Sequence, residues 1–282
     1  MRNSLPLCGV VLTTLCLSCA ARPPRILVIA HRGDSSNAPE NTLSAFRSAI
    51  RAGADLVELD ARQTADGTLV CLHDETLDRT TDAVQVFGRK KVLLREVRDA
   101  ELTRLEAGMW FDPPVRGERI PTLAEALDCI QAGSRTLLEH KDGPAAAYAR
   151  LLREKKLVGR LVVQSFNWDF LRDLHRLEPR QPLAALGEKV LDESRWTRLA
   201  ATGARTVAWK HTDITPELIA EARRRRLAVW AWTVDEPKDW ERLVEAGIDG
   251  IITNRPGPLR HWLQQRAGHS QSSAGGTRPA SP

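Results

Sequence analysis

Glu58 and Asp60 stand one residue apart in a short aliphatic run, Leu56 to Asp60, and in an extended backbone alternate side chains share a face. Two carboxylates so placed repel each other unless a cation lies between them. A third, Glu139, closes another aliphatic run, Arg135 to Glu139. Three carboxylates and no thiolate make a hard, all-oxygen donor set, suited to Mg2+ or Ca2+ rather than zinc, with open positions left for water or a substrate oxygen. Arg32 and Lys141 add fixed positive charge to the same set, as a phosphate group requires. His31 and His73 supply an acid and a base, because imidazole titrates near neutral pH and one ring can accept a proton while the other donates. Together these groups are the minimum for cleaving a phosphodiester.

Each residue also has a plainer reading. A histidine at a strand end often serves only as a structural hydrogen-bonding group, and an E-x-D pair can mark an exposed strand edge. Lys141 can simply pair with Glu139, and Trp232 can be core packing rather than a platform for a substrate group. Gln164-Ser165-Phe166 lacks the flanking glycines of a nucleophile elbow, so Ser165 is not read as a nucleophile.

The elements that must position these groups are short β-branched or aliphatic runs alternating with helix-period segments. Eight runs read as strands: Ile26 to Ala30, Leu56 to Asp60, Arg135 to Glu139, Leu161 to Ser165, Leu183 to Leu186, Thr206 to Trp209, Ala228 to Thr233 and Gly250 to Thr253. Between them, Asn41 is placed to cap a helix through Ala49, Thr122 and Glu125 form a capping box, and Thr215-Pro216 opens a further helix. Gly53, Gly203 and Gly247 sit where helices should stop. Eight such units predict an α/β fold, a closed (β/α)8 TIM barrel over residues 25–262, whose polar strand ends converge on one rim. An open doubly wound sheet is the competing topology, but His31-Arg32-Gly33-Asp34 stands where a G-x-G-x-x-G fingerprint would follow the first strand. Residues 68–118 are too long for a simple crossover and are read as an excursion over the barrel mouth that delivers His73, with an insertion after the second strand at about 75–118.

The bulk properties narrow the partners. A chain of 282 residues with 42% hydrophobic content can bury a large core, and a net charge of +5 suits an anionic substrate without forming the basic stripe of a nucleic-acid binder. The run Arg223 to Arg226 is read as a solvated helix end. Residues 1–21, with Arg2, an apolar stretch from Leu5 to Leu17 and then Ser18-Cys19-Ala20-Ala21, read as a secretion signal too short to span a membrane. Cys19 after a small residue resembles a lipoprotein cleavage site, which would attach the chain to a membrane; cleavage after Ala21 is the alternative. The expected location is therefore the periplasm, the exterior, or a lipid anchor at the cell envelope. Cys71 and Cys129 are expected to be free thiols, with a disulfide between them left open, and residues 267–282 read as a disordered tail.

In their order along the chain these motifs resemble the glycerophosphodiester phosphodiesterases. The resemblance rests on His31-Arg32-Gly33, Pro39-Glu40-Asn41-Thr42, Gly53-Ala54-Asp55, Glu58-Leu59-Asp60 and Thr64-Ala65-Asp66-Gly67. It continues through His73-Asp74, Arg79-Thr80-Thr81, Ile120-Pro121-Thr122-Leu123, Glu139-His140-Lys141, Gln164-Ser165-Phe166 and Trp232-Thr233-Val234, covering about Ile26 to Pro256. It implies metal-dependent hydrolysis of glycerophosphodiesters to an alcohol and sn-glycerol 3-phosphate. Glu58, Asp60 and Glu139 fall on the family's metal ligands, His31 and His73 on its acid and base, and Arg32 and Lys141 beside the phosphate, with Gln164 and Trp232 as further substrate contacts. Three departures stand out: Asp34-Ser35-Ser36-Asn37 replaces small residues, Asp235 stands where Asn is common, and Asn254 where Asp is common. They are read as bearing on substrate detail rather than catalysis. A lysophospholipase D or phosphatidylinositol-cleaving relative is the alternative enzyme, with Trp110 and Phe111 as the expected apolar ramp. A non-catalytic phosphate-binding surface lipoprotein would have lost a ligand or a histidine, and none is lost.

Overall fold

A computed structural model of the chain describes residues 25–274, so the expected leader, Cys19 and residues 275–282 lie outside the described residues. The chain alternates strand and helix as β1 (Leu27–Ala30), α1 (Leu43–Arg51), β2 (Leu56–Gln63), β3 (Leu69–Cys71), α2 (Ala83–Phe87), α3 (Asp99–Leu102) and α4 (Leu123–Gln131). It continues as β4 (Arg135–His140), α5 (Ala145–Glu154), β5 (Val162–Ser165), α6 (Trp168–Leu177), β6 (Leu183–Gly187), α7 (Glu193–Ala200) and β7 (Thr206–Lys210). The last elements are α8 (Pro216–Arg224), β8 (Ala228–Trp232), α9 (Pro237–Ala246), β9 (Gly250–Thr253) and α10 (Pro256–Ala274). Every strand except β3 pairs in parallel with its neighbours, and β1 pairs with both β2 and β9, which closes the sheet into an eight-stranded barrel ringed by helices.

Period-two alternation divides each strand between two environments. Val57 and Leu59 point outward into the apolar layer beneath the helices, together with Val28, Leu138 and Val163. Ile29, Leu56, Leu137, Val162, Ala184, Ala208, Trp230 and Ile252 point inward and plug the barrel. Two residues further along the same inward rows stand His31, Glu58, Glu139, Gln164, Trp232 and Asn254.

The ninth strand departs from the eight read in the sequence. β2 overshoots the rim to Gln63, turns through Thr64 and Gly67, and returns as the antiparallel β3, with Ala61 opposite Cys71. Gly67, at φ +87°, permits the turn, and the apolar run Leu69-Val70-Cys71 has the residue types a strand needs. Past β3 the insertion folds on its own apolar cluster, including Leu72, Leu77, Val92, Leu94 and Leu105.

The capping box of Thr122 and Glu125 and the Thr215-Pro216 start are present, but α1 is capped by Thr42, not Asn41. Thr42 has the extended backbone an N-cap requires and accepts from the Ala45 amide, whereas Asn41 is held in the left-handed region at φ +58° and faces the barrel. Gly53, Gly203 and Gly247 all adopt positive φ at helix ends. Of the basic run, Arg224 and Arg225 pair with Glu221 and Arg223 donates to the Gly247 carbonyl, as a solvated helix end should. Cys71 and Cys129 are free thiols. α10 continues to Ala274, carrying helix into the stretch read as a tail from residue 267. Among the described residues no helix is long and apolar enough to cross a membrane.

Candidate active site

The inward rows of β2 and β4 bring Glu58, Asp60 and Glu139 together. Asp60 is in register with Glu139, and one carboxylate oxygen from each of the three residues lies within 4.8 Å of the others. They are 0%, 1% and 6% exposed, so their mutual repulsion is poorly screened by water. Glu58 Oε1, Asp60 Oδ1 and Glu139 Oε1 receive no hydrogen bond from the described residues, although the Lys141 ammonium forms ion pairs with the latter two, at 3.2 Å from Asp60. Three buried carboxylate oxygens converging on one point, with a single ammonium shared between two of them, are a donor set a hard divalent cation can take. The arrangement fits such an ion and can hold one.

The charges distribute unevenly over the triad. Burial pushes Glu58 well above the ordinary carboxylate range, and repulsion from Asp60 and Glu139 pushes it further. Burial and then Asp60 likewise raise Glu139, to about 7. Burial acts on Asp60 in the same direction, but Lys141 and Arg32 outweigh it and hold Asp60 at about 2. Asp60 is also gripped by Asn41, whose side-chain oxygen accepts from the Asp60 amide at 3.1 Å and whose NH2 donates to Oδ2 at 2.8 Å.

Arg32, just past β1, donates its backbone amide to Glu58 Oε2 at 2.7 Å and its guanidinium to Glu40 at 2.9 Å, with Nε 3.3 Å from Asp60. It adopts φ +56°, and Gly33 follows because a Cβ there would stand 2.7 Å from Ala45 on α1. His31, half-buried, places Nδ1 2.7 Å from Asn254 Oδ1. Burial of its ring and the positive Arg32 lower its pKa to about 4 against the opposing pull of Asp60. His73 is delivered by the hairpin, since the Leu72 amide donates to the Asp60 carbonyl at 3.2 Å. Its Nδ1 lies 2.7 Å from Asp74 Oδ1; burial, outweighing the pull of Asp60, holds its pKa below the ordinary imidazole value. Gln164, on β5 beside Glu139, is buried, and its Oε1 receives no hydrogen bond from the described residues. Trp232 stands further round the rim on β8, its indole N–H donating to the Ala208 carbonyl and its ring edge-on to the half-exposed Phe166.

The structure adds residues that the sequence left without a role. Arg79, on the insertion, forks onto Glu40 at 2.8 and 2.9 Å and onto Asp74 at 2.6 Å, so a single guanidinium braces the partner of Arg32 and the partner of His73. Asp235 and Asn254, read as bearing on substrate detail, lie behind His31. Asn254 follows Ile252 by two residues, as His31 follows Ile29, so the same inward periodicity could have flagged it. Trp110 and Phe111 stack edge to face on each other, with the Trp110 indole bound to the Ala107 carbonyl.

Residues 31–258 match the sequence model of the glycerophosphoryl diester phosphodiesterase family. A glycerophosphodiester phosphodiesterase of Caldanaerobacter subterraneus subsp. tengcongensis is 36% identical over 250 residues, spanning 86% of this chain and 99% of that protein. A phosphodiesterase from Oleispira antarctica, solved in complex with the product sn-glycerol-3-phosphate, superposes with a TM-score of 0.77 at 28% identity, over 84% of this chain and 96% of that one. A glycerophosphodiester phosphodiesterase from Agrobacterium tumefaciens superposes with a TM-score of 0.72 at 28% identity, over 83% and 99% of the two chains. With a closed barrel, a convergent acidic triad and two histidines at its mouth, the chain belongs to the glycerophosphoryl diester phosphodiesterase family and is an enzyme of that class.

Proposed function

We propose that the protein hydrolyses glycerophosphodiesters to an alcohol and sn-glycerol 3-phosphate, using a divalent cation and the two histidines as base and acid. The observation that carries this reading is the buried triad of Glu58, Asp60 and Glu139, with one oxygen of each converging on a common point, set among Arg32, Lys141, His31 and His73. The product bound in the Oleispira relative supports the substrate class. Mg2+ or Ca2+, held by the triad, would offset, together with Lys141, the charge of the three carboxylates and draw charge from a phosphoryl oxygen.

Each side chain then has a task. Arg32, locked by Glu40 and the Asp60 edge, presents its remaining N–H groups to the phosphate, and Lys141 adds charge from the β4 side. His31, kept neutral by burial and Arg32, takes the proton from the attacking oxygen at Nε2. His73, backed by the Asp74 carboxylate, protonates the leaving alkoxide. Gln164 Oε1 accepts a hydroxyl hydrogen of the substrate, and Trp232 with Phe166 offers an apolar wall. Residues 1–21 carry the protein out of the cytoplasm, with Cys19 as the anchor where it is lipidated.

The test is a product assay on glycerophosphocholine after exhaustive chelation, with Mg2+ and Ca2+ restored in turn and lysophosphatidylcholine run in parallel, read by phosphorus NMR. Glycerol 3-phosphate should form only with a cation present. Turnover that survives chelation removes the metal role, and release of a lysophosphatidate from the lysolipid alone moves the enzyme to the lipid class.

A further inference from the structure

Behind His31 lies a chain of polar groups drawn from three separate loops. His31 Nδ1 is 2.7 Å from Asn254 Oδ1, and Asn254 Nδ2 is 2.6 Å from Asp235 Oδ2. Asp235, between β8 and α9, also accepts from the Thr253 hydroxyl at 2.9 Å and the Asn254 amide at 2.8 Å. Asn254 Oδ1 takes a second bond, from the Ser35 hydroxyl at 2.8 Å.

Hydrogen-bond polarity orders this chain from the far end. An ionised carboxylate only accepts, so Asn254 must turn its NH2 toward Asp235 and its carbonyl oxygen toward His31. That oxygen has no proton to give, so His31 Nδ1 must be the donor. A neutral imidazole carries one N–H, which leaves Nε2 with the lone pair. We infer that Asp235 and Asn254 are positioning residues that fix His31 as the Nδ1–H tautomer with a basic Nε2, while keeping formal charge one side chain away from the ring.

His73 provides the contrast, because its Nδ1 meets the Asp74 carboxylate directly. A carboxylate against a ring favours the imidazolium; an amide oxygen orients the ring with much less stabilisation of the charged form. The charged groups that face His31 are Arg32 and Glu40 from the loop after β1 and Asp60 from β2, with Asp235 reaching it only through Asn254. The relay therefore keeps the first ring a ready proton acceptor. The inference rests on the proposed role of His31 as base, and its first test does not depend on turnover.

Nitrogen NMR of the full chain labelled with 15N-histidine reads the tautomer directly. At pH 7, His31 should show a protonated Nδ1 and an unprotonated Nε2, and the opposite assignment overturns the relay. In Asp235→Asn the Asn254 amide loses its fixed orientation, so the tautomers should mix and kcat should fall about 10²-fold. KM should stay within about twofold. The exchanged pair, Asp235→Asn with Asn254→Asp, gives His31 a direct carboxylate acceptor; it should restore one tautomer and most of kcat, and raise the acid limb of the kcat–pH profile by roughly one unit. If Asp235→Asn leaves tautomer and kcat unchanged, or the exchanged pair folds but stays as impaired as the single variant, Asp235 and Asn254 have only a structural role. A wild-type protein with the expected tautomer but no hydrolysis of any glycerophosphodiester would sink the proposed function and leave the relay standing.

Discussion

At one end of the barrel Ile29, Leu56, Leu137, Val162, Trp230 and Ile252 fill the interior with apolar side chains. Two residues further along the same strands, His31, Glu58, Glu139, Gln164, Trp232 and Asn254 line the mouth. The strands and their register are shared, so the difference lies wholly in what the side chains demand of their neighbours. The plug satisfies itself by packing, whereas the mouth buries three acids against one another with one ammonium, Lys141, shared between two of them. Stability resides at the first end, and the second holds a local excess of repulsion that a bound cation would relieve.

The sharpest break between the two is expected from Glu58→Gln. If the triad holds the cation as proposed, it should lower kcat by at least about 10³-fold, since several kcal/mol of transition-state stabilisation would be lost with the ion. The same change should raise the melting temperature of the metal-free protein at pH 8, because a repelling carboxylate is replaced by a neutral side chain that can still accept from the Arg32 amide. A variant that melts lower than wild type, or keeps full activity, would show that the acids are ordinary structural partners.

Leu137→Ala, two residues below Glu139, should do the reverse. Its cavity should cost roughly 2–5 kcal/mol in denaturant unfolding, with kcat of the folded protein unchanged. A large loss of kcat in fully folded Leu137→Ala would mean that the plug and the mouth are not separable.

The smallest effect is one of pH. Glu139 is raised to about 7 from an ordinary value of 4.5, so the folded protein holds a proton that the unfolded chain releases. The stability this proton contributes is fully present below pH 4.5 and is lost as pH rises through about 7. A cation competes for the same oxygens, so its affinity should weaken as pH falls below about 7, approaching tenfold per unit. Calorimetric titration with Mg2+ or Ca2+ between pH 8 and pH 6 reads the slope, and a flat profile would place the ion elsewhere.

Much of this was legible from local pattern. Strand periodicity placed the barrel and put Glu58, Asp60 and Glu139 on one rim, because alternation is a property of adjacent residues. What escaped is what depends on chain folding back over long distances. Asn41 looked like a helix cap because Asn and Thr are both good caps; that Thr42 takes the role and Asn41 turns to Asp60 is decided by the barrel, not by the helix. The excursion after residue 68 was expected to deliver His73, and the β2–β3 hairpin is how it does so, but Arg79 binding both Glu40 and Asp74 has no signature in sequence spacing. Asn254 meets His31 across 223 residues; periodicity along β9 can put Asn254 on the rim, but which rim residue it touches is decided by closure of the barrel.

That separation has a consequence for the order in which the molecule is made. β1 and β9 are the first and last strands of the barrel, and their pairing is its seam. Joining them requires the longest loop closure in the barrel, a step whose entropic cost must be met before the contacts it creates return anything. During synthesis β9 leaves the ribosome last, so the imidazole after β1 waits for almost the entire polypeptide before its partner exists. The His31–Asn254 contact is therefore tied to completion of the chain, and a fragment truncated before residue 250 would be left with an open seam and an imidazole lacking that partner.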